Sequence, residues 1–174
     1  MMEFLIALWE QLMQNPLIKY LIAFVVSMVP IIELRGAVPI ATTMGLDFWP
    51  SLIVCVIGNM IPVPIIYFFA RKVLIWGSDK RFIGKIFRFF IEKGEKAGRK
   101  LQKGAGRGGL FVDMMLFVGI PIPGTGAWTG TLGASFLNMG FKSTVASVCL
   151  GVIMAGIIMG VASTGVLSFI DFLL

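Results

Sequence analysis

Glu33 and Arg35 stand one residue apart in the stretch Val29 to Ala41, VPIIELRGAVPIA, with prolines on both sides, a glycine beside the arginine and apolar sequence beyond. Either charge is costly if isolated in hydrocarbon, so the two are expected to pair, to face a wet cavity, or both. Residues i and i+2 do not face one another on a regular helix, and an unwound tip is therefore expected here. The Arg35 guanidinium is a planar fork that matches phosphate or carboxylate. A partly desolvated Glu33 is suited to carrying a proton. The alternative is an ion pair that only pins the tip. Function is preferred, because an apolar tip with glycines would hold the same shape without buried charge.

A second cluster has no charge but a related grammar. Pro121 to Gly126, PIPGTG, interrupts an apolar run, and Thr125, Thr129 and Thr131 add hydroxyls. Gly124 and Gly126 let backbone come close to a ligand, and amides exposed where a helix restarts suit an anion. Small residues that merely let helices pack closely are the competing explanation. Asn59, halfway along another apolar run and followed by Pro62 to Pro64, either lines the same cavity or satisfies backbone freed by the prolines. The expected substrate- or ion-binding set is Glu33, Arg35, Gly36, Asn59, Pro121, Gly124, Thr125, Gly126 and Thr129. Asp113 is expected to snorkel to the surface.

Enzymatic chemistry finds little support. The chain has no histidine, which removes HExxH zinc sites and Ser-His pairs. Asp47 and Asp113 are expected at opposite faces, so they do not form a pair. Cys55 and Cys149 each lie in an apolar span without metal or redox spacing. No catalytic residue, metal or cofactor is expected.

The elements that hold these residues belong to a bilayer. Of the 174 residues, 57% are hydrophobic and 14% charged, a composition that fits one integral membrane domain. Phe48 to Ala70, Met114 to Phe141 and Ser143 to Ile170 carry no charge, and each is long enough to cross about 30 Å of hydrocarbon. The opening MMEFLIALWEQLMQNP has no basic leader and reads as an interfacial amphipathic helix. The net charge is +6, but 12 of the 15 Lys and Arg fall between Arg71 and Arg107, which predicts a cytoplasmic segment. Phe82, Ile83, Ile86, Phe87 and Phe90 interleave with those cations. That stripe suits an anionic membrane surface or packing against the bundle, and not nucleic acid.

The run from Leu17 to Pro30 is too short to cross comfortably, as is the run from Gly36 to Leu46. Two half-length arms joined at a polar tip predict a re-entrant hairpin. The pattern recurs after the basic segment as an arm from Leu110 to Ile120, a break at Pro121 to Gly126, a return arm through Asn138 and a long helix from Ser143. Aligned near a spacing of 91, Pro30 meets Pro121 and Asp47 meets Asn138. The fold class expected is thus all-α, an inverted repeat in which each half has an amphipathic helix, a re-entrant hairpin and one full span. The halves cover about residues 1–72 and 79–174, with a Gly-rich joint at 104–109. Charge asymmetry agrees, with Lys19 the exception. A layout with parallel halves is the alternative. GIIMG, Gly156 to Gly160, has dimerisation spacing, and a homo-oligomer stays open.

At ELRGAVPIATTMG together with PIPGTGAWTGTLGA the chain resembles the putative small multi-drug export protein family, over nearly its whole length. Its hairpin plan also looks like the DedA superfamily, implicated in moving polyprenyl phosphate or phospholipid, with acidic and arginine residues in re-entrant segments. That resemblance is carried by Glu33 and Arg35, whereas the second break has no arginine. The resemblance and the residues together predict a multi-pass cell-membrane transporter that exchanges protons and moves a small anionic or amphipathic substrate. A lipid-phosphate translocase or scramblase, and a non-transporting assembly factor, are the alternatives. Membrane lipids, the substrate and protons are the expected partners.

Overall fold

The structure, a computed structural model, describes residues 14–78, 84–104 and 109–173. The expected N-terminal amphipathic helix, the interior of the Gly-rich joint, and Phe82 and Ile83 of the apolar stripe lie outside the described residues.

The described chain is all-helical, with no strand among the described residues. Helix α1 (Pro16–Met28) starts where Asn15 accepts a hydrogen bond from the Leu17 amide (2.9 Å) and Pro16 takes the first helical position, a site that tolerates its missing N–H. It stops before Pro30, which disfavours a helical residue ahead of it. Helix α2 (Glu33–Thr43) returns, and α3 (Phe48–Met60) follows a short turn. Pro62 and Pro64 then replace regular α-helix with a short α4 (Pro62–Ile65) and a π turn over Ile66–Ala70, since neither proline can donate to the ladder. Helix α5 (Arg71–Ser78) and the long basic α6 (Gly84–Gly104) lead to α7 (Gly109–Gly119), α8 (Ala127–Phe136) and α9 (Phe141–Leu173).

Two stretches of 23 residues, Phe48–Ala70 and Phe141–Ser163, are long and apolar enough to cross a bilayer. Ile53, Ile57, Ile61 and Ile65 form an exposed stripe at four-residue spacing on the first, and Leu150, Ile153, Ile157 and Val161 form one at three- and four-residue spacing on the second. Such faces suit lipid better than water. At about 1.5 Å per residue, α1 (13 residues), α2 (11), α7 (11) and α8 (10) are each only about 15–20 Å long.

Local geometry recurs along the chain at a spacing of 93 residues. The described non-glycine and glycine residues with positive φ include Ile31 (81°) and Gly124 (85°), Glu33 (50°) and Gly126 (142°), and Gly45 (72°) and Asn138 (52°). The ends of α2 and α8 close alike: Leu46 N donates to Ala41 O (3.1 Å) as Met139 N donates to Ala134 O (3.0 Å), each around its left-handed residue. Ser51 Oγ donates to Asp47 O as Thr144 Oγ1 donates to Gly140 O. At this spacing Pro30 falls on Pro123, whereas the spacing near 91 sets it against Pro121.

The core is built from Leu34, Val38, Val63, Met114, Val118 and Val148, with α9 lying along α7, α2 and α3. Two helix pairs touch backbone to backbone. A Cβ at Gly151 of α9 would sit 2.6 Å from Met115 O of α7. Gly151→Ala should therefore push the pair apart and cost about 1–3 kcal/mol, read as a lowered unfolding midpoint in detergent; an unchanged midpoint would show that α7 and α9 are not in contact there. On the other side, Gly133 of α8 lies against Gly98 of α6, so the basic helix is docked on the bundle. The GIIMG glycines are used within the chain: a Cβ at Gly156 would strike Leu52, and one at Gly160 would strike Phe48. Lys19, the exception in the charge pattern, donates from Nζ to Met44 O (2.7 Å) and caps α2. Tyr67 in the π turn donates its hydroxyl to Met139 O and accepts at its carbonyl from Ser135 Oγ (2.9 Å), which ties the first span to the α8–α9 turn.

Candidate functional site

Glu33 opens α2, and Arg35 lies in its first turn, so the tip is helical from Glu33 onward and not unwound through both charges. They do not form an ion pair with each other; the ion pair found among the described residues is Arg99–Glu95. Each instead reaches across to the break between α7 and α8.

Glu33 is 5% exposed, a burial that demands partners for an oxygen pair. Its Oε2 accepts from the Ala127 amide (3.0 Å) and its Oε1 from the Trp128 amide (3.1 Å). Those are the first two amides of α8, whose own N-cap, Gly126, has no side chain to offer. A carboxylate from α2 thus satisfies these two orphan donors and sits at the positive end of the helix dipole. Gly126 is required for this approach: a Cβ there would overlap Oε2 and lie 2.8 Å from Cδ, and φ of 142° disfavours any other residue.

Arg35 does the complementary work. Nη1 donates to Ile122 O (2.6 Å), and Nη2 donates to Val118 O (3.0 Å), Ile120 O (3.3 Å) and Thr125 Oγ1 (2.9 Å). The cation therefore gathers carbonyls at and just beyond the end of α7, at the negative end of its dipole, and those of Ile120 and Ile122 also accept from the amides of Ile122 (2.8 Å) and Thr125 (3.1 Å). Thr125 Oγ1 in turn lies within hydrogen-bond distance of Ile120 O and Ile122 O. The pair closes both ends of the second break, one with each sign of charge. Arg35 Nε has no acceptor among the described residues and remains available to a ligand.

A cavity of about 540 Å³ adjoins this brace, within the range for small-molecule sites. Glu33, Arg35, Pro121, Gly124, Thr125 and Thr129 of the expected set line it. Gly126 stands behind Glu33. Gly36 and Asn59 are not among its lining residues; Asn59 is 2% exposed, with Oδ1 lacking a partner. The α8 amides read from sequence as an anion site are occupied by Glu33. Asp113 Oδ2 is buried without a partner, so that carboxylate does not snorkel freely. Sequence reading missed Lys93 and Trp128, which also line the cavity. Lys93 was hidden among many cations, and Trp128 among apolar letters. The remaining wall is apolar, with Ile31, Ile66, Phe87 and Leu132 contributing.

Isoleucine stripes facing outward and a charged seam held by hydrogen bonds inside define a helical membrane protein. The family described as "Putative small multi-drug export protein" matches residues 33–158, most of the chain and both breaks, so the protein belongs to that family. No curated protein and no solved structure matches it.

Proposed function

We propose that the protein is a proton-coupled secondary transporter of a small anionic or amphipathic substrate, with its site in the cavity between the two breaks. The supporting plan is an inverted repeat of halves at about 1–72 and 79–174, each with a re-entrant hairpin and one full span in the cell membrane, and with 71–107 on the cytoplasmic side. Four half-length helices and the 93-residue recurrence of left-handed residues support that plan. The function is carried by one observation: the nearly buried Glu33 carboxylate both lines the cavity and holds the N-terminus of α8.

The coupling follows from that geometry. Ionised Glu33 occupies the amides of Ala127 and Trp128, and the site is closed to another anion. A proton on Glu33 removes the charge that matches the helix dipole and weakens both bonds. The amides and the free Arg35 Nε then face a substrate anion, and loss of the proton returns Glu33 to its place and displaces the substrate. Gradient-driven flux into proteoliposomes, screened over amphipathic anions, cationic drugs and lipid phosphates, tests this. Glu33→Gln should abolish the response to an imposed pH gradient, by at least about tenfold, since a neutral amide keeps an acceptor but exchanges no proton. Equal gradient-dependent flux in Glu33→Gln, or lipid movement by the wild type without any gradient, would overturn the reading.

A further inference from the structure

A second cavity of about 330 Å³ lies on the far side of the break, walled by Phe89, Glu92, Lys96 and Ala97 of α6 and by Phe117 of α7. It shares three lining residues with the main cavity: Lys93, Pro123 and Gly124. Lys93 therefore stands in the partition between them, with a turn of small or rigid residues opposite. The helix holds it there, because Gly94 is pressed so closely on α8 that a Cβ would lie 2.6 Å from Leu132 Cγ.

The partition cation has no carboxylate bonded to it among the described residues. Its recorded contact is the Phe89 ring, at 5.8 Å from the centroid, a weak interaction at such a site. Its charge interacts with Glu33, but the oxygens of Glu33 are bonded to the α8 amides. The main cavity thus holds two cations, Arg35 and Lys93, against one committed carboxylate. The smaller cavity repeats the excess, with Lys93 and Lys96 against Glu92. The main cavity's wall also includes Trp128, whose Nε1 is buried without an acceptor. Two cations and an unsatisfied N–H ask for hydrogen-bond acceptors with negative charge, and the apolar remainder asks for a hydrocarbon body.

We propose that Lys93 sets the sign of the substrate's charge: the ligand is an amphiphile with a single anionic head, and the smaller cavity is an antechamber from which that head passes Lys93 into the main cavity. This deepens the transport reading above and rests on it for the direction of passage. The contact with Lys93 itself is measured by binding, without flux.

The experiment compares equilibrium binding of labelled decanoate and decyltrimethylammonium to the full chain in phosphatidylcholine nanodiscs, after subtraction of empty nanodiscs. Decanoate should bind and the ammonium ion should not. Lys93→Gln should weaken decanoate about tenfold, the scale of one charge-assisted contact, while Lys93→Arg retains it and controls for folding. Lys93→Glu should reverse the preference. Decanoate bound equally by wild type and Lys93→Gln, or a wild-type preference for the ammonium ion, would overturn the proposal. Nanodiscs containing phosphatidylglycerol separate the sources of the head: competition with decanoate assigns a membrane lipid, and its absence a free anion. Lys93-dependent binding without proton-coupled flux would remove the transport reading and leave the anionic site; coupled flux insensitive to Lys93→Gln would do the reverse.

Discussion

Arg35→Ala is expected to lower the stability of the protein by about 3–5 kcal/mol, seen as a large fall in the unfolding midpoint in detergent, with Arg35→Lys recovering only part of the loss. One guanidinium serves the carbonyls of Val118, Ile120 and Ile122 and the Thr125 hydroxyl. A hydrogen bond to a charged group contributes about 1.5–3 kcal/mol, and a set sharing one donor group is not additive. The carbonyls of Ile120 and Ile122 keep the amides of Ile122 (2.8 Å) and Thr125 (3.1 Å) as donors, so the loss is chiefly that of the charge-assisted bonds across the break. In lysine the charge remains but the planar fork is lost, so at most part of the set is served. The sign of the effect separates two roles. A residue kept only to bind substrate tends to be neutral or stabilising when removed. Arg35→Ala unfolding at the wild-type midpoint would therefore show that the brace does not hold the second break together.

Much of the architecture was legible because prolines and glycines punctuate it. Pro16 and Pro30 bracket α1, and PIPGTG marks the gap between α7 and α8, as the structure has them. Glu33 and Arg35 announced themselves as charges with nowhere apolar to go. Their partners did not, since those are backbone amides and carbonyls some ninety residues away, and backbone groups carry no letter. The 93-residue recurrence was hidden for a related reason. Left-handed positions normally advertise themselves as glycine, but Ile31 and Glu33 occupy them in the first half, where non-glycine residues are uncommon and a β-branched one is strained by about 1–3 kcal/mol. Asn59 was read either as lining the cavity or as serving backbone freed by the prolines; it is buried and is not among the residues that line the main cavity. Lys93 illustrates the opposite error, since a cation on a long basic helix reads as one of many until α6 is seen docked on α8.

The start of α2 and the break between α7 and α8 contribute unlike things to one site. At the 93-residue register, Glu33 corresponds to Gly126 and Arg35 to Trp128. Under the inverted-repeat proposal, corresponding tips meet near the pseudo-symmetry axis, where two carboxylates would repel strongly in a poorly polarisable interior. One half supplying the side chain and the other supplying bare backbone avoids that conflict. It also explains why the second break lacks an arginine: its role there is to be gathered by one.

Gly126→Ala is the substitution that tests this division of labour most directly, and it should abolish coupled flux while costing about 3 kcal/mol or more of stability. Two costs add. The added Cβ overlaps Glu33 Oε2 and stands 2.8 Å from Cδ, so the carboxylate must leave the amides of Ala127 and Trp128 and strand a buried charge, an expensive state. Separately, φ of 142° is strained for alanine by about 1–3 kcal/mol. The double variant Glu33→Ala with Gly126→Ala separates the two. Without the carboxylate the overlap vanishes and only backbone strain remains, so the second substitution should cost markedly less in that background, with a coupling of about 1–3 kcal/mol, the range for residues in contact. Strictly additive losses would place Glu33 away from Gly126 and leave the α8 amides open to an outside anion at all times, which removes the proton from the mechanism.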